Sequence, residues 1–202
     1  MVFKKNMNYG YLRLIKILLL FFILSSCTYK YDNKKIESYN DYKKIYLNVG
    51  SLELKKNRSE EKVFKNSIEQ MIFDKLLISF EQWALNKFQV KESDNNMYVD
   101  LEGLKIKFKN DKKSKVSKYS FYEKKKEIYE IDFIFSLTFI NKNKTAKKVI
   151  INSKKNFTLF NNYSIKKRNE VVDLNLKKLM YLIDSKVSRD LSNEMFYEFI
   201  LN

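Results

Sequence analysis

The strongest constraint on how this chain can fold is a stretch in its second half. Tyr129, Ile131, Phe133, Phe135, Leu137 and Phe139 occupy every odd position. Glu130, Asp132, Ser136 and Thr138 lie between them, with Ile134 and Ile140 as the exceptions. Strict alternation predicts a strand with one buried face, because successive side chains point to opposite sides of a sheet. Asn141-Lys142-Asn143-Lys144 reads as a turn, and Val149, Ile151, Phe157 and Leu159 as a partner strand interrupted by the polar 152–156 segment. Together they predict an antiparallel hairpin that needs a cover on one side only.

Two amphipathic helices supply that cover. From Ile68 to Phe88, Ile72, Leu76, Phe80 and Trp83 repeat at helical spacing beside Phe73, Leu77, Ala84 and Phe88. Ser67 and Gln70 have the spacing of a capping box, with Val63 or Phe64 as the staple. Trp83, the sole tryptophan, belongs to the core reading of this stripe. A second long helix is predicted from Ser164 to Phe199 on Val172, Leu176, Leu179, Met180, Ile183, Val187, Leu191 and Met195, with Asp173 and Lys177 as a supporting pair. Its apolar end, from Phe196 to Leu201, is placed to dock on the sheet.

Two further strands show a change of phase at a glycine. Ile45, Leu47 and Val49 share one face, and beyond Gly50 Leu52 and Leu54 continue on the other parity. Met97, Val99 and Leu101 are followed, beyond Glu102-Gly103, by Leu104, Ile106 and Phe108. Both sites predict bulges or bends, and matching bends suggest neighbouring strands. The expected fold is an α+β two-layer sandwich of β-α-β-β-β-α order, a mixed four-stranded sheet packed by two long helices.

Upstream of this domain the pattern changes. Lys4, Lys5, Arg13 and Lys16 precede the apolar run Ile17–Leu24, and Ser25-Ser26-Cys27 follows. A basic segment, a short apolar segment and small residues are the parts of an export signal, and the run is too short for the ~20 residues of a membrane span. Leu24-Ser25-Ser26-Cys27 resembles the lipobox of bacterial lipoproteins. That resemblance implies cleavage between Ser26 and Cys27 and acylation (palmitate) of Cys27, the only cysteine in the chain. Residues 1–26 are then a signal peptide, 27–43 a lipidated N-terminus and polar tether, and 44–202 one domain. The absence of aspartate after the cysteine, at Thr28, favours the outer membrane over the inner one in that family.

Composition narrows the chemistry. The chain has no histidine, no proline and no second cysteine. Histidine-based triads, cysteine–histidine pairs and ordinary zinc sites are therefore excluded, and the expectation is a non-enzyme with no cofactor and no metal. Removing residues 1–26 takes away four cations and no acid, lowering the formal charge from +16 to +12. The codon usage of an AT-rich genome is the simpler account of this lysine-rich balance. Attraction to anionic lipid or lipopolysaccharide phosphates is the functional alternative. The candidate anionic-partner patch is Lys112, Lys113, Lys115, Lys118, Lys124, Lys125 and Lys126, interleaved with Tyr119, Phe121 and Tyr122. Nucleic acid is not expected as a partner of an exported, membrane-tethered chain.

The Ile45–Leu54 strand, the Val63-Phe64 to Trp83-Ala84 segment and the alternating strand from Tyr129, behind a lipobox, resemble small envelope lipoproteins of alphaproteobacteria. By architecture the chain is also similar to the outer-membrane lipoprotein partner of the lipopolysaccharide translocon and to auxiliary lipoproteins of lipid-transporting ABC systems. The resemblance implies a membrane-anchored accessory or scaffold subunit in envelope assembly or lipid transport, with an envelope protein as partner. The alternative is a ligand-binding lipoprotein that holds an apolar or anionic small molecule between helix and sheet, which requires an apolar cavity beneath the first helix.

Overall fold

The computed structural model describes residues 42–56, 64–111 and 125–201. The signal peptide, most of the tether and five of the seven patch lysines lie outside the described residues. The elements are β1 (Ile45–Leu47), β2 (Ser51–Lys56), α1 (Ser67–Lys87), β3 (Phe88–Val90), β4 (Asn96–Asp111), β5 (Lys126–Ile140), β6 (Ala146–Phe160), α2 (Ile165–Leu191), a 3-10 helix (Glu194–Phe199) and β7 (Ile200–Leu201). They form an α+β structure with a mixed four-stranded sheet of order β2-β4-β5-β6 and a small three-stranded sheet of order β3-β1-β7.

The small sheet is a departure from the expected single sheet, and Gly50 explains it. Residues 45–54 are not one bent strand but two strands in different sheets, with Gly50 between them. A Cβ at Gly50 would stand 2.1 Å from the Ser93 carbonyl oxygen, so only glycine lets the 93–95 loop cross the chain there. The Gly50 N–H donates to the Asn95 carbonyl at 2.8 Å, and the Asn95 side-chain amide donates to the Asn48 carbonyl at 2.9 Å. Both halves then pair in parallel with the far side of α1, β1 with β3 and β2 with β4.

Gly103 behaves differently. The β4–β5 register shifts between Leu101 and Gly103, a β-bulge that returns Leu104, Ile106 and Phe108 to the face used by Met97 and Val99. The two glycines are not side by side. Gly50 precedes the Ser51↔Asn96 pair, whereas Gly103 lies beyond the Lys56↔Leu101 pair at the other end of β2.

The alternating stretch lies in β5, an inner strand of the four-stranded sheet, and its six odd residues from Tyr129 to Phe139 are all buried. On that face they meet α1 and α2. Phe80 packs edge-on to Phe133 and Phe135 at ring-centroid distances of 5.0 and 4.8 Å. Trp83 stacks on Phe80 at 5.7 Å and meets Phe135 edge-on at 5.9 Å, as expected of a core residue. Burying rings of this size contributes roughly 1.5–3 kcal/mol each, which is why the aromatic face decides where the helices lie.

Three local expectations are corrected. The cap of α1 is Asn66, whose side chain accepts from the Glu69 N–H at 2.9 Å, rather than Ser67 with Gln70. Glu69 reaches back to the Lys65 N–H at 2.6 Å, so the reciprocal arrangement exists one residue earlier, with Phe64 packed on Phe73. Strand β6 runs without the interruption expected at 152–156, because Ser153 continues its odd, buried series. The second helix ends at Leu191, not Phe199. Ser192 caps it, and the following 3-10 turn folds Phe196 and Phe199 onto Phe139 before Ile200 and Leu201 pair with β1.

Candidate functional site

Of the residues singled out by the sequence, Ser26 and Cys27 lie outside the described residues, as do Lys112, Lys113, Lys115, Lys118 and Lys124. Lys125 and Lys126 are described and exposed at the start of β5. The Lys125 carbonyl accepts from the Asn161 N–H at 3.1 Å, which brings the β6–α2 turn beside them. Helix α2 opens there with Ser164 as its cap and Lys166, Lys167 and Arg168 in its first turn, with no acidic residue. Cations at a helix N-terminus oppose its dipole. Arg168 is compensated by an ion pair to Glu127, which also accepts from the Tyr129 hydroxyl at 3.2 Å. Burial, and then the Glu127 charge, push the Tyr129 phenol well above the usual tyrosine range.

The outer face of the four-stranded sheet, turned away from the helices, carries cross-strand ion pairs. They are Lys109–Glu130 at 2.7 Å, Lys148–Glu102 at 2.7 Å and Lys154–Asp132 at 3.5 Å. Glu130 and Asp132, which lie between the buried odd positions of β5, therefore have lysine partners from the strands on either side. Lys109 holds Glu130 below the ordinary carboxylate range, and Lys148 does the same for Glu102. Between β6 and the 3-10 helix, Lys147 lowers Glu198 in the same way. The arrangement is that of paired surface charges rather than a carboxylate dyad with perturbed acid–base behaviour. Among the described residues, no three of His, Cys, Asp and Glu gather where they could hold a metal ion.

A polar cluster that sequence reasoning missed lies between the helices. Asp184 of α2 accepts from the Trp83 indole N–H at 2.9 Å and pairs with the Lys87 ammonium at 2.8 Å. Lys87 is fully buried and also donates to the Ser188 hydroxyl at 2.9 Å. Asp173, expected to pair with Lys177 on its own helix, instead bridges to Lys75 of α1. The signal for the cluster was present. Lys87 follows Phe80, Trp83 and Ala84 on the apolar stripe, and a charge on such a stripe requires a buried partner.

A groove of about 440 Å³ lies where the end of α2 and the 3-10 helix meet β6. Lys148, Val149, Arg189, Asp190, Ser192, Asn193, Met195 and Phe196 line it. It was not legible in the sequence, since it depends on the helix stopping at Leu191. It does not lie beneath α1, where the ligand-binding alternative requires a cavity and where Phe80 and Trp83 pack on Phe133 and Phe135. No described helix is long and apolar enough to cross a membrane.

No protein-family model and no curated protein matches the chain. Among solved structures it is similar to rare lipoprotein B of Shewanella oneidensis, at 13% identity over 70% of this chain and 97% of that one, with a TM-score of 0.30. A minor lipoprotein of Acinetobacter baumannii is similar at 7% identity over 68% and 92%, with a TM-score of 0.28. A neuraminyllactose-binding hemagglutinin homolog of Helicobacter pylori is similar at 12% identity over 80% and 92%, with a TM-score of 0.36. These likenesses are too distant to place the chain in a family.

Proposed function

We propose that the protein is an exported envelope lipoprotein, held in the outer membrane facing the periplasm by acyl chains on Cys27. Its folded domain serves as a non-catalytic accessory or scaffold subunit in envelope assembly or lipid and lipopolysaccharide transport. The observation that carries this reading is Leu24-Ser25-Ser26-Cys27 behind a basic segment and a short apolar run. Two acyl chains anchor stably where one binds only marginally. An ordered domain whose first strand begins at Ile45 fits an anchor some distance upstream of it. The 15 residues from Thr28 to Tyr42 span up to ~50 Å when extended, enough to carry the domain clear of the headgroups.

The non-catalytic reading draws on the absent histidine and on outer-face carboxylates that are matched with lysines. The domain's other partner is an envelope protein, with anionic lipid or lipopolysaccharide phosphate at the Lys112–Lys126 segment as a secondary contact. The ligand-binding alternative has less support, because aromatic rings occupy the space between α1 and the sheet. Labelling with a palmitate analogue, followed by membrane fractionation, tests the anchor. The native chain is expected to be labelled and membrane-bound, and Cys27→Ala unlabelled and released. A Cys27→Ala chain that stays as firmly bound as the native one would overturn the proposal.

A further inference from the structure

Strand β6 is the outermost strand of the four-stranded sheet, and its full 15-residue length bears on this position. Its hydrogen-bonding phase follows from its two ends. The Asn141 N–H donates to the Thr145 carbonyl at 3.0 Å and the Asn161 N–H to the Lys125 carbonyl at 3.1 Å. Between these two odd-numbered pairs the β5–β6 register advances without a shift. Antiparallel partners alternate between bonded and non-bonded pairs. The odd residues of β6 therefore bond to β5, and the N–H and C=O groups of its even residues face away from the sheet. One of these carbonyls, that of Asn152, accepts from the Lys186 ammonium. On either side of it, no described strand pairs with the Lys148–Ile150 and Lys154–Asn156 segments along the edge turned away from β5.

An open edge of ~50 Å invites association, and proteins blunt such edges with lysine. Here Lys147, Lys148, Lys154 and Lys155 occupy the strand, which contains no acidic residue. A second copy of the strand would bring its own lysines against these, which opposes edge-to-edge self-pairing wherever they fall opposite one another. Lys147, Lys148 and Lys154 already face Glu198, Glu102 and Asp132. Lys155, and Lys186 at the Asn152 carbonyl, have no acid paired with them among the described residues, so the edge keeps a net positive charge that is complementary to an acidic strand. The groove ending at Lys148 and Val149 gives that strand a seat. Met195, 45% exposed, offers it apolar contact, and Ile150, 58% exposed, lies on the outer face beside it.

We infer that the free edge of β6 is the docking site for an extended, acidic segment of an envelope protein, which adds to the sheet as a fifth strand. The even-numbered backbone groups of Lys148 and Ile150 make the hydrogen bonds, and the lysines select the charge. This deepens the scaffold reading and rests on it for the partner's place in the envelope. A chain lipidated at Cys27 that fails to pair loses the edge proposal alone. One that pairs but carries no lipid loses the anchor alone.

Amide hydrogen exchange on the full chain in detergent tests it, with a blocked peptide of alternating glutamate and valine as probe. In the free protein the Lys148 and Ile150 amides are expected to exchange at least tenfold faster than those of Val149 and Ile151. Saturating peptide should slow the two even amides about tenfold and leave the odd ones unchanged, while a lysine–valine peptide does neither. Ile150→Pro removes an edge N–H without touching the β5 ladder, and it should abolish the effect with the circular dichroism unchanged. Should proline disturb the sheet, Ile150→Glu keeps the N–H and sets an acid beside the incoming strand, so it should weaken binding about tenfold. Slow even amides in the free protein, no response to millimolar acidic peptide, or an edge-dependent dimer in sedimentation would each overturn the proposal.

Discussion

Two regions of this molecule use the same chemistry, a lysine facing a carboxylate, to opposite ends. Between the helices, Lys87 is wholly buried and Asp184 has only 15% of its side chain exposed. On the outer face of the sheet, Lys109 and Glu130 are 59% and 30% exposed, and Lys154 and Asp132 are 69% and 32% exposed. Water stabilises the outer charges almost as well as their partners do, so those pairs contribute little. Lys87 has no water to fall back on. Its neighbours Asp184 and Ser188, and the Trp83 indole that shares Asp184, must hold the charge together. The inner pair thus fixes the axial position of α1 against α2, which an apolar stripe alone leaves free to slide. The outer pairs keep a solvent-facing sheet soluble and in register.

Breaking the inner pair is the largest test of this contrast. Asp184→Ala leaves a buried ammonium and an unpaired indole N–H, and we expect it to lower stability by about 3–5 kcal/mol in denaturant unfolding. The double variant Lys87→Met, Asp184→Leu should recover most of that loss, because it removes both charges instead of stranding one. A neutral Asp184→Ala would show that the pair is dispensable and that the aromatic contacts alone set the helix packing.

Gly50→Ala should come next. The added methyl meets the Ser93 carbonyl, and the loop or the strand must move, at a cost of about 1–3 kcal/mol. Gly103→Ala sharpens the comparison, since nothing stands within 4 Å of a Cβ there. It should stay within about 0.5 kcal/mol of the native chain, which thermal melts can resolve.

The outer face should give the smallest response. Lys154→Gln is expected to change stability by about 0–1 kcal/mol and to do so less in high salt. The pH dependence follows from the same pairs. Glu102, Glu130 and Glu198 have folded values held below the ordinary carboxylate range, with lysine hydrogen bonds as the first cause. Their contribution is complete above the unfolded value of ~4.3 and is lost as pH falls through the lower folded values. Melting temperature should therefore stay flat from pH 7 to about 5 and decline below about 4.5. The opposite holds for Tyr129, whose folded value is raised. The folded state keeps its proton after the unfolded state has lost it, so stability falls above about pH 10. Tyr129→Phe should make that alkaline decline shallower.

Much of this was written in the chain. The odd positions from Tyr129 to Phe139 determined a strand buried on one face. The 3.6-residue stripes on Ile72–Trp83 and Val172–Leu191 determined the helices that cover it. The phase changes at Gly50 and Gly103 marked two interruptions, because a period of two makes any slip visible. Leu24-Ser25-Ser26-Cys27 supplied the proposed anchor.

Tertiary structure decided the rest. The two glycines look alike in sequence, but one separates two sheets and the other is a bulge within a single strand. The difference is made by a loop, at Ser93, some 40 residues away. Whether Lys87 was a surface charge or half of a buried pair depended on Asp184, 97 positions along the chain. The edge of β6 became a candidate interface only once the strand order left it outermost. Local pattern records which face a residue must turn toward the core. Which neighbour it meets there is set by long-range pairing, and no local pattern carries that.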